Sequence, residues 1–131
     1  MIMNRDSLRE VLYVDDEPDI REIVQMALGL VPTLSVRTAD SGIRALESMR
    51  EQKPDLVLLD VMMPNMDGPT TLQQMRATPE LQSIPVIFMT AKAMPQEVAR
   101  FRSLGAAAVI AKPFDPMLLG EHVFAVWEQL Q

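Results

Sequence analysis

Four consecutive aliphatic residues, Leu56-Val57-Leu58-Leu59, run straight into an acid, Asp60, between the breaker pair Pro54-Asp55 and a loop containing Pro64, Asn65, Asp67 and Gly68. An unbroken aliphatic run, rather than an alternating one, predicts a strand buried on both faces, and such strands belong to parallel sheets covered by helices on either side. The run favours a covered, mostly parallel sheet and puts Asp60 at the strand's carboxyl end. In open parallel sheets ligands bind in the crevice outside the carboxyl ends of the strands, so Asp60 is a site candidate. An aspartate just after a strand also serves ordinary turn and cap geometry, and only the other strands decide between the two readings.

Those strands repeat the arrangement. Val11 to Val14 is a short apolar strand followed by Asp15-Asp16-Glu17, and Pro18 then stands at a first helical position, opening a helix to about Leu30 with Ile20, Ile23, Val24, Ala27 and Leu28 on its buried face. Leu34 to Thr38 alternates like a half-buried edge strand; Asp40 or Ser41 then caps a helix ending near Lys53, with Ile43, Leu46 and Met49 as its apolar stripe. Gly68-Pro69 opens a third helix, Pro85 to Met89 forms a fourth strand ending in Thr90, and Pro95 starts a fourth helix to about Gly105. Ala106 to Ala111 forms a fifth strand ending in Lys112-Pro113, and Asp115-Pro116 caps a last helix on which Leu119, Val123, Val126, Trp127 and Leu130 recur at helical spacing. The alternation predicts an α/β (βα)₅ fold: a doubly wound parallel sheet with right-handed crossovers and the flavodoxin-like strand order 2-1-3-4-5. That order sets strands 1 and 3 side by side, so Asp15, Asp16 and Asp60 converge at one edge, with Thr90 and Lys112 reaching the same crevice.

Composition excludes several alternatives. With 131 residues, 48% of them hydrophobic, the chain suits one domain spanning 1–131, of which residues 1–8 are expected to be loosely ordered. There is no cysteine for a disulfide framework or a thiolate metal site. No apolar run is long enough to span a membrane, and the N-terminus lacks the apolar core of a secretory signal, so the chain is read as cytoplasmic. A net charge of −6, without a basic run, argues against direct nucleic-acid binding.

Carboxylates held close together repel one another and rise in pKa unless a cation joins them. Oxygen-only ligation suits Mg²⁺, which takes one or two carboxylates, keeps several waters and completes its shell with phosphate oxygens. Asp60 is then available as a nucleophile toward phosphorus, while Lys112 and Thr90 supply charge and a donor to the transferring group.

These residues together resemble the receiver domain of two-component response regulators, in its single-domain, chemotaxis-regulator-like form. Val14-Asp15-Asp16 resembles the family's acidic pair, Asp60 its phosphoacceptor, Asp60 to Gly68 the loop that follows, Thr90-Ala91 its hydroxyl position, and Lys112-Pro113-Phe114 its lysine with a usually cis proline. The resemblance implies that Asp16 and Asp60 ligate Mg²⁺ directly and Asp15 through water, with the backbone carbonyl of Met62 completing the protein ligands. It further implies that positions such as Met62 and Lys92 flank the phosphoryl group, whereas by its own residue type Lys92 reads first as a solvated loop charge. One position departs: Val109 stands where the family usually has Tyr or Phe, which removes the usual aromatic switch.

The function so implied is a phosphoacceptor that takes a phosphoryl group from a histidine kinase or histidine phosphotransfer protein onto Asp60 and signals through an unknown protein target. No separate substrate turnover is expected; no output domain is expected, and output is expected through protein contact. The alternatives are an interaction module with a vestigial acidic site, and an aspartyl-phosphate hydrolase of the haloacid dehalogenase type. The latter needs a second acid two residues after the nucleophile, where Met62 stands. A flavodoxin-like nucleotide binder fits poorly, since the first loop is acidic. His122 is alone on the last helix and is no phosphodonor candidate; Trp127 and Phe124 are expected to pack that helix.

Overall fold

The computed structural model describes residues 4–130. Five parallel strands, β1 (Glu10–Val14), β2 (Ser35–Ala39), β3 (Leu56–Asp60), β4 (Val86–Thr90) and β5 (Ala108–Ala111), form one sheet in the order β2-β1-β3-β4-β5. Between and after them run α1 (Pro18–Gly29), α2 (Gly42–Glu51), α3 (Gly68–Ala77), α4 (Pro95–Ser103) and α5 (Pro116–Gln129). This is the flavodoxin-like architecture expected from the alternation, and β3 is buried along its whole length, as its aliphatic run requires.

Because side chains alternate across a strand, the sheet feeds two separate cores. Leu12, Val14, Val57, Leu59, Val86 and Phe88 face a cluster completed by Leu46 and Met49 of α2, Leu72 and Met75 of α3, and Phe101 of α4. Val11, Tyr13, Leu56, Leu58, Ile87 and Met89 face the other, completed by Val24 and Leu28 of α1 and Leu119, Val123 and Trp127 of α5. Each such large side chain contributes about 1.5–3 kcal/mol when fully buried.

Local chemistry starts the helices where the sheet needs them. Ser41 accepts the Arg44 N–H at 3.1 Å, Asp67 the Thr70 N–H at 2.9 Å and Asp115 the Met117 N–H at 2.9 Å, each satisfying an orphan donor of a first turn. Of the two candidates for the α2 cap, Ser41 takes the role. Gly105, with φ +112°, turns the chain from α4 toward β5 in a conformation that side chains with a Cβ rarely adopt.

Three expectations change. Ile23 and Ile43 match the apolar periodicity of their helices yet are 41% and 55% exposed, because α1 and α2 each need only one narrow stripe against the sheet. Residues 4–8, expected to be loose, are tied to α5, while residues 1–3 lie outside the described residues. Arg5 to Ser7 form a 3-10 turn, Leu8 is buried, the Arg5 guanidinium lies 4.7 Å from the Phe124 ring centroid and pairs with Glu128 at 2.8 Å, and Trp127 Nε1 donates to the Asn4 carbonyl at 2.9 Å. Phe124 and Trp127 do pack α5, as expected, and His122 is an exposed residue of that helix.

Candidate functional site

Asp60 is the last residue of β3 and Thr90 the last of β4; Asp15 and Lys112 are the first residues beyond β1 and β5. The ladder continues through them, with Asp15 N–H donating to the Ala39 carbonyl at 3.2 Å and Lys112 N–H to the Thr90 carbonyl at 2.8 Å, so their backbones are fixed by the sheet. The loop after β3 folds back tightly: Gly68 N–H donates to the Val61 carbonyl at 2.9 Å, and a Cβ at Gly68 would stand 2.6 Å from the Asp60 carbonyl oxygen. Only glycine permits that approach. Asn65, at φ 69°, supplies the left-handed turn within the same loop.

Carboxylate oxygens of Asp15, Asp16 and Asp60 lie within 4.8 Å of one another. Asp15 is fully buried and Asp60 is 4% exposed, whereas Asp16 faces solvent. Lys112 Nζ bridges the two buried acids, donating to Asp15 Oδ2 at 3.0 Å and to Asp60 Oδ1 at 3.0 Å. The Lys112–Pro113 peptide is cis. Thr90 is buried at the neighbouring strand end, and its Oγ1 accepts the Lys92 N–H at 3.0 Å. A cleft lined by Met62, Thr90, Lys92 and Phe101 opens alongside. The Met62 side chain is 75% exposed at its rim.

The electrostatics follow from this crowding. Burial pushes the Asp60 carboxyl up to about 6; the hydrogen bond from Lys112 opposes that rise, and the charges of Asp15 and Asp16 add to it. Burial alone would lower the Lys112 ammonium, but its hydrogen bonds to Asp60 and Asp15 outweigh burial and raise it. Burial, and then the hydrogen bond to Asp15, hold the Tyr13 phenol far above its ordinary range.

The chain matches the family model described as the response regulator receiver domain over residues 11–124. This chain is a response regulator receiver domain. It is 39% identical over 106 residues to the response regulator Rre1 of Synechocystis, covering 81% of this chain and 46% of that protein. Chemotaxis protein CheY-3 of Vibrio cholerae is 32% identical over 129 residues, 98% of both chains. The solved structure of the chemotaxis response regulator CheY4 of Vibrio cholerae superposes with a TM-score of 0.84 at 28% identity, covering 92% of this chain and 99% of that one. The chain spans between 25% and 50% of the length of the first three curated relatives it matches.

Receiver domains are signalling domains that accept a phosphoryl group in two-component systems, from histidine kinases or phosphotransfer proteins, and they bind Mg²⁺ at an acidic pocket. The acidic cluster of this receiver domain fits their phosphorylation site. Among the described residues no helix is long and apolar enough to cross a membrane.

Asp15, Asp16, Asp60 and Lys112 are thus brought together as the strand order implied, with Thr90 one strand along. Val109 is half-buried and packs against the core that holds Phe88 and Phe101, whose rings meet edge to face with centroids 5.0 Å apart. Sequence reasoning missed three groups that hold Asp15: the Tyr13 hydroxyl, the Glu17 N–H and the Arg21 guanidinium, which donates to the Asp15 carbonyl at 2.8 Å. The signal for Tyr13 was present, since a residue two before Asp15 on a strand shares its face.

Proposed function

We propose that Asp60 is the phosphoacceptor of this domain, taking a phosphoryl group from a phosphohistidine and thereby changing which protein the domain binds. The observation that supports this most is the lysine bridge: Lys112 Nζ at 3.0 Å from both Asp15 and Asp60, beside three carboxylates and at the carboxyl edge of the sheet. An ammonium held there can follow the negative charge as it moves from Asp60 onto a phosphoryl group attached to it.

The donor set fits a hard divalent cation: every candidate ligand is a carboxylate or carbonyl oxygen, and three carboxylates gather within 4.8 Å of one another where a single lysine pairs with two of them. Asp16 and Asp60 would hold Mg²⁺, with the Met62 carbonyl, and Asp15 through water. When bound, the cation supplies charge neutralisation to the phosphoryl oxygens.

In the reaction an Asp60 carboxylate oxygen forms a bond to phosphorus as the bond from phosphorus to the donor imidazole nitrogen breaks. The leaving electron pair stays on that nitrogen, which is protonated from solvent. Lys112 donates to a phosphoryl oxygen. Thr90 Oγ1 already accepts from the Lys92 N–H, so the hydroxyl hydrogen is left for another phosphoryl oxygen. Hydrolysis returns Asp60, so the domain takes part in its own phosphorylation and dephosphorylation without turning over a separate substrate.

Residues 1–131 are read as one receiver domain, acting in the cytoplasm on a phosphoryl group from a histidine kinase or histidine phosphotransfer protein. Acetyl phosphate with Mg²⁺ tests the reading: the wild type should acquire an acid-labile, hydroxylamine-sensitive label that Asp60→Asn lacks. Undiminished labelling of that variant would place the nucleophile elsewhere. No labelling of the wild type would favour an interaction module, and steady turnover of phosphomonoesters a hydrolase.

A further inference from the structure

We propose that Tyr13 is a positioning residue for the acidic site, holding Asp15 in place so that Lys112 can leave it. The inference rests on the reading of Asp60 as phosphoacceptor. Tyr13 is the chain's single tyrosine, and it sits fully buried one residue before the end of β1 in a cluster with Val24, Leu28, Leu58 and Met89. An aliphatic side chain would satisfy that core without a polar group, and a buried hydroxyl is unfavourable unless it is hydrogen-bonded. The strand's period of two turns Tyr13 and Asp15 to the same face, and the hydroxyl donates to Asp15 Oδ2 at 2.7 Å, shorter than either lysine contact at 3.0 Å.

Asp15 is therefore held at both oxygens. Oδ2 accepts from Tyr13 and Lys112, and Oδ1 accepts from the Glu17 N–H at 3.0 Å. Asp16, next in sequence, is exposed and has no such anchor among the described contacts. The result is a continuous chain: Tyr13 hydroxyl to Asp15 Oδ2, Lys112 to the same oxygen, and Lys112 to Asp60.

The consequence lies in what happens when Lys112 turns toward a phosphoryl group on Asp60. A buried carboxylate that loses its partner is strongly destabilising, and the ammonium would be held back. The tyrosine hydroxyl, anchored in the core, keeps Oδ2 satisfied whether Lys112 stays or leaves. The same bond fixes the orientation that Asp15 presents to Mg²⁺ and its waters. Partners one step behind metal ligands act in this way, and removing them typically lowers metal affinity by about tenfold or more.

The test compares wild type, Tyr13→Phe, Asp15→Asn and the double variant, because phenylalanine keeps the ring packing and removes only the hydroxyl. Calorimetric titration with Mg²⁺ should show about tenfold weaker binding by Tyr13→Phe than by wild type, with that difference absent in the Asp15→Asn background. Affinities within twofold, or an equal loss in both backgrounds, would overturn the proposal and leave Tyr13 as core packing. In the wild type alone, the ¹³Cζ resonance of the single tyrosine should move in step with Mg²⁺ occupancy; a resonance that stays fixed while Mg²⁺ binds would also overturn it. Wild-type protein that neither binds Mg²⁺ nor takes up label would instead remove the phosphoacceptor reading, and this inference with it.

Discussion

The two edges of the sheet use aspartate in opposite ways. At the amino edge Asp55, just before β3, accepts the Arg9 N–H at 3.0 Å and the Glu10 N–H at 2.9 Å with one oxygen, while its own N–H donates to the Glu10 carbonyl at 2.8 Å. One acid there meets two backbone donors and stitches β3 to β1. At the carboxyl edge three acids crowd together, and one lysine pairs with the two that are buried. The first arrangement is complete in itself; the second holds charge that the fold alone does not offset. Acids kept under such tension are the mark of a site rather than of a scaffold.

Substitutions should separate the two edges. The largest effect belongs to Asp60→Asn: the amide preserves shape and can still accept from Lys112, so labelling by acetyl phosphate should fall to background while the far-ultraviolet dichroism stays that of the wild type.

Next comes metal linkage. A cation that binds only the folded state should stabilise the wild type by about 2.7 kcal/mol at a hundredfold excess over Kd. Asp16→Asn should lose that increment in a thermal melt with and without Mg²⁺, and be at least as stable as the wild type without metal, because one repulsive charge is gone. Equal responses to Mg²⁺ in the two proteins would erase the difference between the edges.

Asp55→Ala should do the reverse. It leaves two backbone donors without their acceptor and should cost about 1–3 kcal/mol in urea unfolding, with Mg²⁺-dependent labelling unchanged at temperatures where the variant is folded. A loss of labelling as deep as that of Asp60→Asn would mean that the amino edge also serves the chemistry.

The last comparison is with pH. The folded-state carboxyl of Asp60 is raised to about 6 from its ordinary 3.8, so the folded protein holds that proton more tightly than the unfolded chain. Its contribution to stability is fully present below pH 4 and is lost as pH rises through 6, with a slope of at most about 1.4 kcal/mol per pH unit. Metal-free wild type, compared with Asp60→Asn between pH 4 and 7, should gain relative stability on acidification. Parallel melting curves across that window would show that the carboxyl is not raised.

Much of this was legible before folding was considered. Leu56 to Asp60 announced a fully buried strand, the prolines at 18, 69, 95 and 116 marked helix starts that the structure keeps, and the acids, threonine and lysine at strand ends fell in the expected crevice. What misled was periodicity without a partner. Ile23 and Ile43 fit a helical stripe, but a stripe is wider than the sheet surface available to it. Arg5 and Asn4 gave no local signal, since their partners Glu121, Glu128 and Trp127 lie at the other end of the chain.

The sequence by itself determined the order and kind of the elements and which residue types stand at the strand ends, because apolar runs, turn residues and caps act over a few neighbouring positions. Only the tertiary structure decided that Asp15 is buried while adjacent Asp16 is exposed, that Lys112 reaches both Asp15 and Asp60, and that a tyrosine within an apolar strand donates its hydroxyl to the site. Burial and hydrogen-bond partnership are set by segments distant in sequence, and a carboxylate takes its charge environment from whatever the other strands bring to its side.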